Sequence, residues 1–387
     1  VAKWHWRFVD RQDYWLSKNQ AQKLYCKGLS GLHSNSAQAV TDSFYDALKA
    51  WRKKRKSGDY EGLRPPYKQK RYFKIQWKSS AIKLRDDGVL RLSNGRGADP
   101  VLIDWPSEAV ASGRKPKRVE IGWDGDQYEL RAQYKVDEKD EPKGQRKAGV
   151  DLGERHLATV YVEDGENVSV HGGRLRSLRR QHNRTYSSLQ SKIDRKKKGS
   201  RRWKRLVRAK ERQLTKIRNR IKDFLHKVTT RLANVLHERR AGTVVVGDLT
   251  GIRERISCGS RMNQRLHQWA YSKFEHMLRY KAQLRGMTVE RASEAYTSQT
   301  CPNCEHRHKP SSRDFDCPAC SFSGHRDVVG ARNILSERYP GEVSTGTTQV
   351  VGEMASPAGI RYRPDMQCNP ASSRRTSFER QECRPVG

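Results

Sequence analysis

The chain has 387 residues, enough for two or three domains, yet only 34% are hydrophobic and 32% carry charge, so its cores are thinly supplied. Its 79 Lys and Arg outnumber 43 Asp and Glu, a formal net charge of +36, and such self-repulsion is most simply explained by a polyanionic partner, nucleic acid foremost. An anionic membrane is the poorer partner, because the sequence shows no run of about 18 apolar residues and no signal-peptide pattern. The first residue is Val rather than Met, so a missing N-terminal piece or an unusual start is expected.

Residues 35–56 predict an amphipathic helix, with Val40, Phe44, Leu48 and Trp51 on one face, Asn35 or Ser36 as cap and a basic last turn. Residues 1–34 are expected to be partly helical, and "RPPYKQK" at 64–70 breaks the pattern. From about 71 to 137 apolar and polar residues alternate, with Asp-Gly turns at 87–88 and 124–125, which predicts several antiparallel strands in a small barrel or sandwich. Trp51, Trp77, Trp105 and Trp123 read as core residues before stacking platforms. "DEKDEPKGQRK" at 137–147 reads as a polar linker.

"AGVDLG" then opens a second domain as a short strand ending at Asp151, followed by a three-stranded meander with an Asp-Gly turn at 164–165. Residues 174–240 hold 25 Lys and Arg against 4 acids. A solvated helix face would mix signs, so this stretch predicts a basic helical hairpin, broken at 196–200, that holds phosphates through groups such as Arg201, Arg202, Lys204 and Arg205. "TVVVGDLTGI" at 243–252 reads as a buried strand, followed by a helix around 262–285, a strand at 287–293 and a helix in "HRDVVGARNILSER". Residues 338–387, rich in Gly, Pro, Ser and Thr, are expected to be a disordered tail.

Between the last strand and the last helix, "CPNCEHRHKPSSRDFDCPAC" holds two Cys-x-x-Cys pairs separated by 12 residues. The thiolates of Cys301, Cys304, Cys317 and Cys320 complete a closed tetrahedral set, which predicts one structural Zn²⁺ and, with no secretion signal, a reducing compartment. His306, His308 and His325 are then left as surface or nucleic-acid contacts, and Cys26, Cys258, Cys368 and Cys383 have no role.

The order strand–Asp, meander, helices, strand, helix, strand, late helical Asp is the layout of an RNase H-like domain. Carboxylates from separate elements of such a domain hold Mg²⁺ ions that act on a phosphodiester. "GVDLGERHLATV", the basic hairpin, "VVVGDLTGI", "YTSQTCPNC…CPAC" and "HRDVVGARNIL" together resemble the RuvC domain of the TnpB (OrfB) family, transposon-encoded RNA-guided DNA endonucleases related to type V CRISPR effectors. The resemblance is specific over roughly 148–336. It is weaker over 31–145, where "WKSSAIKL", "LRLSNGRG" and "YELRAQY" resemble the family's wedge barrel, here without an evident opening strand.

The resemblance implies a multidomain α/β and β-barrel protein. A helical recognition-like region spans 1–63, a wedge-like β-barrel 64–145 and a RuvC-like nuclease domain 146–337, with the basic hairpin at 174–240 and the zinc insert at 299–325. It implies a guide RNA made from the transposon end, a double-stranded DNA target beside a short recognition motif, a cytoplasmic setting, and catalytic Mg²⁺, two ions in number.

Residue by residue, Asp151 matches the first catalytic Asp of the family and Asp327 the third. The middle acid, a Glu at the end of the 243–248 strand, is replaced by Gly247. Asp248 points to the opposite strand face. Glu294, at the end of the neighbouring strand, is the candidate that crosses the gap of about 4.8 Å, and glycine leaves room for it, whereas Glu290 lies further back. Three other classes stay open: a guided DNA-binding repressor without cleavage, a strand-joining transposase, and a plain zinc-ribbon DNA-binding protein.

Overall fold

The computed structural model describes the chain except residues 27–30, 59–63, 68–72, 112, 137–143, 164–166, 250–270, 344–347, 351, 357–358 and 363–387. It forms two compact units, Val1–Val136 and Asp137–Gly387. The Asp-Gly turn expected at 164–165 and the first part of the helix expected from 262 lie outside the described residues.

The first unit begins with α1 (Ala2–Gln12), α2 (Lys18–Cys26) and α3 (Ser34–Lys56). The α3 cap lies two or three residues earlier than expected, because the His33 side chain accepts from the Asn35 amide. Its buried stripe runs through Ala37, Thr41, Phe44 and Leu48, so Val40, placed on that face by the sequence pattern, is instead 40% exposed. Phe44 meets Trp6 and His5 edge to face.

Six short strands follow: β1 (Ile75–Lys78), β2 (Ile82–Leu84), β3 (Val89–Leu92), β4 (Val101–Asp104), β5 (Arg118–Trp123) and β6 (Tyr128–Gln133), with α4 (Ser107–Ala111) between β4 and β5. They form two antiparallel sheets, β1-β5-β6 and β2-β3-β4, and not the single closed ladder expected of a barrel. The reason is local: a 3₁₀ turn at Ser79–Ala81 ends β1 and starts β2 in the other sheet. Trp77, Ile82, Leu90, Leu92 and Val119 from both sheets share one core. Trp77 is buried as expected, while Trp123 is 38% exposed.

The second unit is built on a seven-stranded sheet. Its strands are β7 (Arg146–Asp151), β8 (His156–Val162), β9 (Val168–His171), β10 (Ala241–Asp248), β11 (Thr288–Ser293), β14 (Gly352–Ser356) and β15 (Gly359–Tyr362). The sheet order is β11-β10-β7-β8-β9-β14-β15. β7, β8 and β9 form an antiparallel meander, and β10 runs parallel to both β7 and β11. Helices α5 (Gly173–Asp194) and α6 (Arg201–Glu238) pack against each other; α7 (Tyr271–Gln283) precedes β11. A small hairpin, β12 (Asp314–Asp316) and β13 (Ser323–His325), leads into α8 (Arg326–Arg338).

Strand alternation sorts β10 between two cores. Val244 and Val246 face Phe224, Leu232, Phe274 and Leu278 of α6 and α7, whereas Val245 faces Val328, Ala331, Ile334 and Leu335 of α8. α8 lies close against β7, where a Cβ at Gly149 would overlap the Ala331 carbonyl. Only glycine permits that approach.

The expected tail is a correction. Residues 352–354 pair in parallel with β9, Gly352 donates to the Asn167 carbonyl at 2.9 Å, and Val350 and Met354 are 5% and 1% exposed. Two apolar side chains two or four residues apart suffice to cover a sheet edge, and an average over fifty polar residues hides them. Residues 363–387 lie outside the described ones.

Candidate active site

The same alternation places three candidate residues on one face. Gly149 and Asp151 share a parity in β7, and Val245 and Gly247 share one in β10; both pairs face α8. Ala292 of β11 faces α8 too, and Glu294 follows it two residues later. Asp327 sits in the first turn of α8 itself, 6% exposed. Asp248 falls on the other parity and is exposed. Glu290, two positions further back than Ala292, is held by Arg338 at 2.5 Å.

Gly247 pairs with Ala292 and Asp248 with Ser293, so Glu294 begins just past the paired region and turns back over Gly247. A Cβ at position 247 would stand 3.0 Å from the Glu294 Cδ and 3.1 Å from its Oε1. The carboxyl of Glu294 therefore occupies the space that a side chain at 247 would fill. It donates to Asp151 and accepts from the Leu152 amide, while its Oε2 is shut from solvent with no hydrogen-bond partner. Desolvation, then the Asp151 charge, pushes Glu294 up to about 10. Asp151 rises to about 6, again chiefly by desolvation. Two carboxyls at this separation hold one proton between them.

Asp327 is held differently. His156 Nδ1 lies 2.6 Å from its Oδ2, and Arg313 Nη1 lies 2.6 and 2.5 Å from its two oxygens. Burial opposes its charge, but the His156 hydrogen bond and the Arg313 charge outweigh burial, and its pKa stays below the usual carboxylate value. The three acids thus face one another without closing into a set whose oxygens all lie within 4.8 Å, whereas His156, His325 and Asp327 do close into such a set. His325, read from sequence as a surface or nucleic-acid contact, is half-buried, and burial lowers its pKa. His156 and Arg313 carried no usable signal, being one of 12 histidines and one of 79 basic residues. His325 had a weak one, two residues before Asp327.

Carboxylate oxygens are the donor set that Mg²⁺ or Mn²⁺ takes, and the orphaned Glu294 Oε2 supplies a buried acceptor for one.

The four thiols form a second centre. Cys301 and Cys320 Sγ are 3.7 Å apart, Cys304 and Cys317 Sγ 3.5 Å apart, and all four lie within 4.8 Å of one another. A disulfide would need about 2.05 Å. A tetrahedral zinc site with bonds of about 2.3 Å has edges of about 3.8 Å, so the cluster can hold such an ion. The Phe322 amide, then the Asn303 side chain, hold Cys320 down to about 6. Cys301 and Phe315 pack on Val329 of α8, and the Arg326 amide donates to the Arg313 carbonyl at 2.8 Å, so the ribbon positions Arg313. Cys26 is a free thiol of the first unit; Cys258, Cys368 and Cys383 lie outside the described residues.

Arg201, Arg202, Lys204 and Arg205 are all exposed in the first turns of α6, which Ser200 caps by accepting from the Trp203 amide. Among the described residues no helix is long and apolar enough to cross a membrane.

Two family models match this chain: OrfB_IS605, described as a probable transposase, over residues 131–253, and the Cas12f1-like TNB domain over residues 271–334. The "Putative RNA-guided DNA endonuclease InsQ" of Escherichia coli K12 is 30% identical over 159 residues, 38% of this chain and 40% of that protein. The CRISPR-associated endodeoxyribonuclease Cas12f1 of Sulfoacidibacillus thermotolerans is 28% identical over 48% of this chain and 44% of its own length. The TnpB-like protein ORF457 of Acidianus two-tailed virus is 27% identical over 51% of this chain and 42% of its own. The chain therefore spans less than half the length of these relatives. Among solved structures, a Cas12f1–sgRNA–target DNA complex matches with a TM-score of 0.51 at 13% identity, covering 78% of this chain and 70% of that one, a likeness of fold.

Proposed function

From its resemblance to the TnpB (OrfB) family and to Cas12f1, which family models and named relatives share, we propose that this chain is an RNA-guided DNA endonuclease. In this reading a guide RNA from the transposon end pairs with target DNA beside a short motif, and one RuvC site cuts both strands. The order and directions of β11-β10-β7-β8-β9 support an RNase H-like nuclease domain. The net charge of +36 and the exposed basic start of α6 support phosphate binding.

One observation carries the cleavage reading: the Glu294 carboxyl fills the space above Gly247 and meets Asp151. A glutamate on the adjacent strand thereby stands in for the acid that β10 lacks. Asp151, Glu294 and Asp327 would hold divalent metal. When bound, the metal aligns an attacking water and stabilises the leaving oxygen of a phosphodiester. The Leu152 amide orients Glu294, His156 orients Asp327, and Arg313 brings positive charge to the cleft where a phosphate would lie. The four thiolates would hold one structural Zn²⁺, which keeps Arg313 in place through the ribbon.

The test is cleavage of a guide-matched duplex with Mg²⁺, using protein purified with its own RNA. Glu294→Ala is expected to abolish cutting with guide and target binding intact, and Asp248→Ala to keep it. Equal cutting by Glu294→Ala would overturn the relocation. A second reading, a guided binder that does not cut, is favoured by one observation: Arg313 and His156 already neutralise Asp327. A parent protein that binds matched DNA but never cuts it with Mg²⁺ or Mn²⁺ establishes that reading.

A further inference from the structure

Two strands bring imidazole nitrogens to the buried carboxylate of Asp327. His156 opens β8, His325 closes β13, and Asp327 lies in the first turn of α8. One ligand atom from each lies within 4.8 Å of the other two, and their rings are 5.5 Å apart. His325 Nδ1 is buried and has no hydrogen-bond partner. A buried nitrogen in that position is costly unless something accepts from it or donates to it. The His325 backbone is anchored, since its amide donates to the Thr348 carbonyl at 2.9 Å.

We infer that His156, His325 and Asp327 form a two-imidazole, one-carboxylate position that takes a transition metal such as Mn²⁺ in preference to Mg²⁺. Imidazole nitrogen is a poor ligand for Mg²⁺, which demands oxygen and keeps its waters, but a good one for first-row transition metals. The inference rests on the reading of Asp327 as a metal-facing carboxylate; it does not require that the protein cut DNA.

The geometry needs little change. His156 Nδ1 and Asp327 Oδ2 are 2.6 Å apart. Two ligands at right angles with bonds of about 2.1 Å are about 3.0 Å apart, so the pair opens by about 0.4 Å. Metal entry displaces the hydrogen-bond proton to solvent, and His156 binds as a neutral imidazole. Arg313 also reaches both oxygens of Asp327, at 2.6 and 2.5 Å. On metal entry it keeps Oδ1 and gives up Oδ2; its charge opposes Mg²⁺ and Mn²⁺ alike, so the selectivity comes from the two imidazoles.

The experiment uses zinc-loaded full-length protein, titrated with Mn²⁺ in excess Mg²⁺, free Mn²⁺ being followed by EPR. The weak affinity of Mn²⁺ for thiolates keeps it out of the four-cysteine site. Wild type is expected to retain one Mn²⁺ against Mg²⁺, with pulsed-EPR modulation from imidazole nitrogen, a readout that needs no variant. His156→Gln and His325→Gln should each weaken Mn²⁺ binding by about tenfold or more, and Mg²⁺ binding by clearly less. Bound Mn²⁺ without nitrogen modulation, or Mn²⁺ displaced by Mg²⁺ as readily as the reverse, overturns the inference. Whether the parent cuts in Mg²⁺ alone bears only on the nuclease reading, so the two fail separately.

Discussion

Replacing Gly247 with alanine tests the site with a single methyl group. The added Cβ would stand 3.0 Å from Glu294 Cδ and from Ile334 Cδ1, where ordinary contact begins at 3.4 Å. Something must move by about 0.4 Å or more. Both neighbours are ends of flexible side chains, so the fold can yield, at an overpacking cost of about 1–3 kcal/mol. Alanine recovers about 0.4–1 kcal/mol of that by restricting the unfolded chain. The net loss of about 1–2 kcal/mol corresponds to roughly 2–8 °C in melting temperature for a unit of this size.

Function should suffer more than stability, because the group that yields is the acid itself. Misplacing a reacting group by about 1 Å can cost on the order of 10²-fold, so Gly247→Ala should cut at least tenfold more slowly. Guide and target binding should be unchanged in a mobility-shift assay. Gly247→Glu combined with Glu294→Ala returns a carboxylate from β10 to the same space, and should recover part of the cutting that Glu294→Ala loses. If Gly247→Ala cuts matched duplex as fast as the parent, the Glu294 carboxyl is not where the chemistry happens.

The protein should bind one Zn²⁺ through Cys301, Cys304, Cys317 and Cys320; metal analysis below half an equivalent in carefully purified protein refutes this. Chelation should also lower the melting temperature of the second unit, since Phe315 and Cys301 pack on α8. Changing Arg201, Arg202, Lys204 and Arg205 together to Ala should weaken nucleic-acid binding and reduce the slope of its salt dependence by about one per lost phosphate contact; an unchanged slope would make these exposed residues a solvated helix face. Ending the chain at Tyr339 should destabilise it, reversing the expectation from composition. Val350 and Met354 leave the core at about 2 kcal/mol each and the edge of β9 is laid open, so an unaltered melting curve would show that β14 contributes nothing.

Much of the second unit was legible because its signals are local. The "VVV" run of β10, the basic helices, and the two Cys-x-x-Cys turns each encode their own structure within a few residues. Strand parity, a property of backbone pleating alone, already separated Gly247 from Asp248 and put Asp151 and Glu294 at strand ends. Other features depend on partners distant in the chain. That β11 lies beside β10 in the register Gly247–Ala292 decides that Glu294 reaches over the glycine, and α8 closing on Gly149 decides what it reaches toward. Arg313 and His156 lie 14 and 171 residues from Asp327, and no spacing rule joins them. The same holds for the docking of β14 on β9, a pairing with a strand far earlier in the chain that adds to its local hairpin with β15. Local sequence determined which elements form and which acids stand at their ends. Packing alone decided which charges meet, because a carboxylate's partners are set by the approach of whole strands and helices and not by the residues beside it.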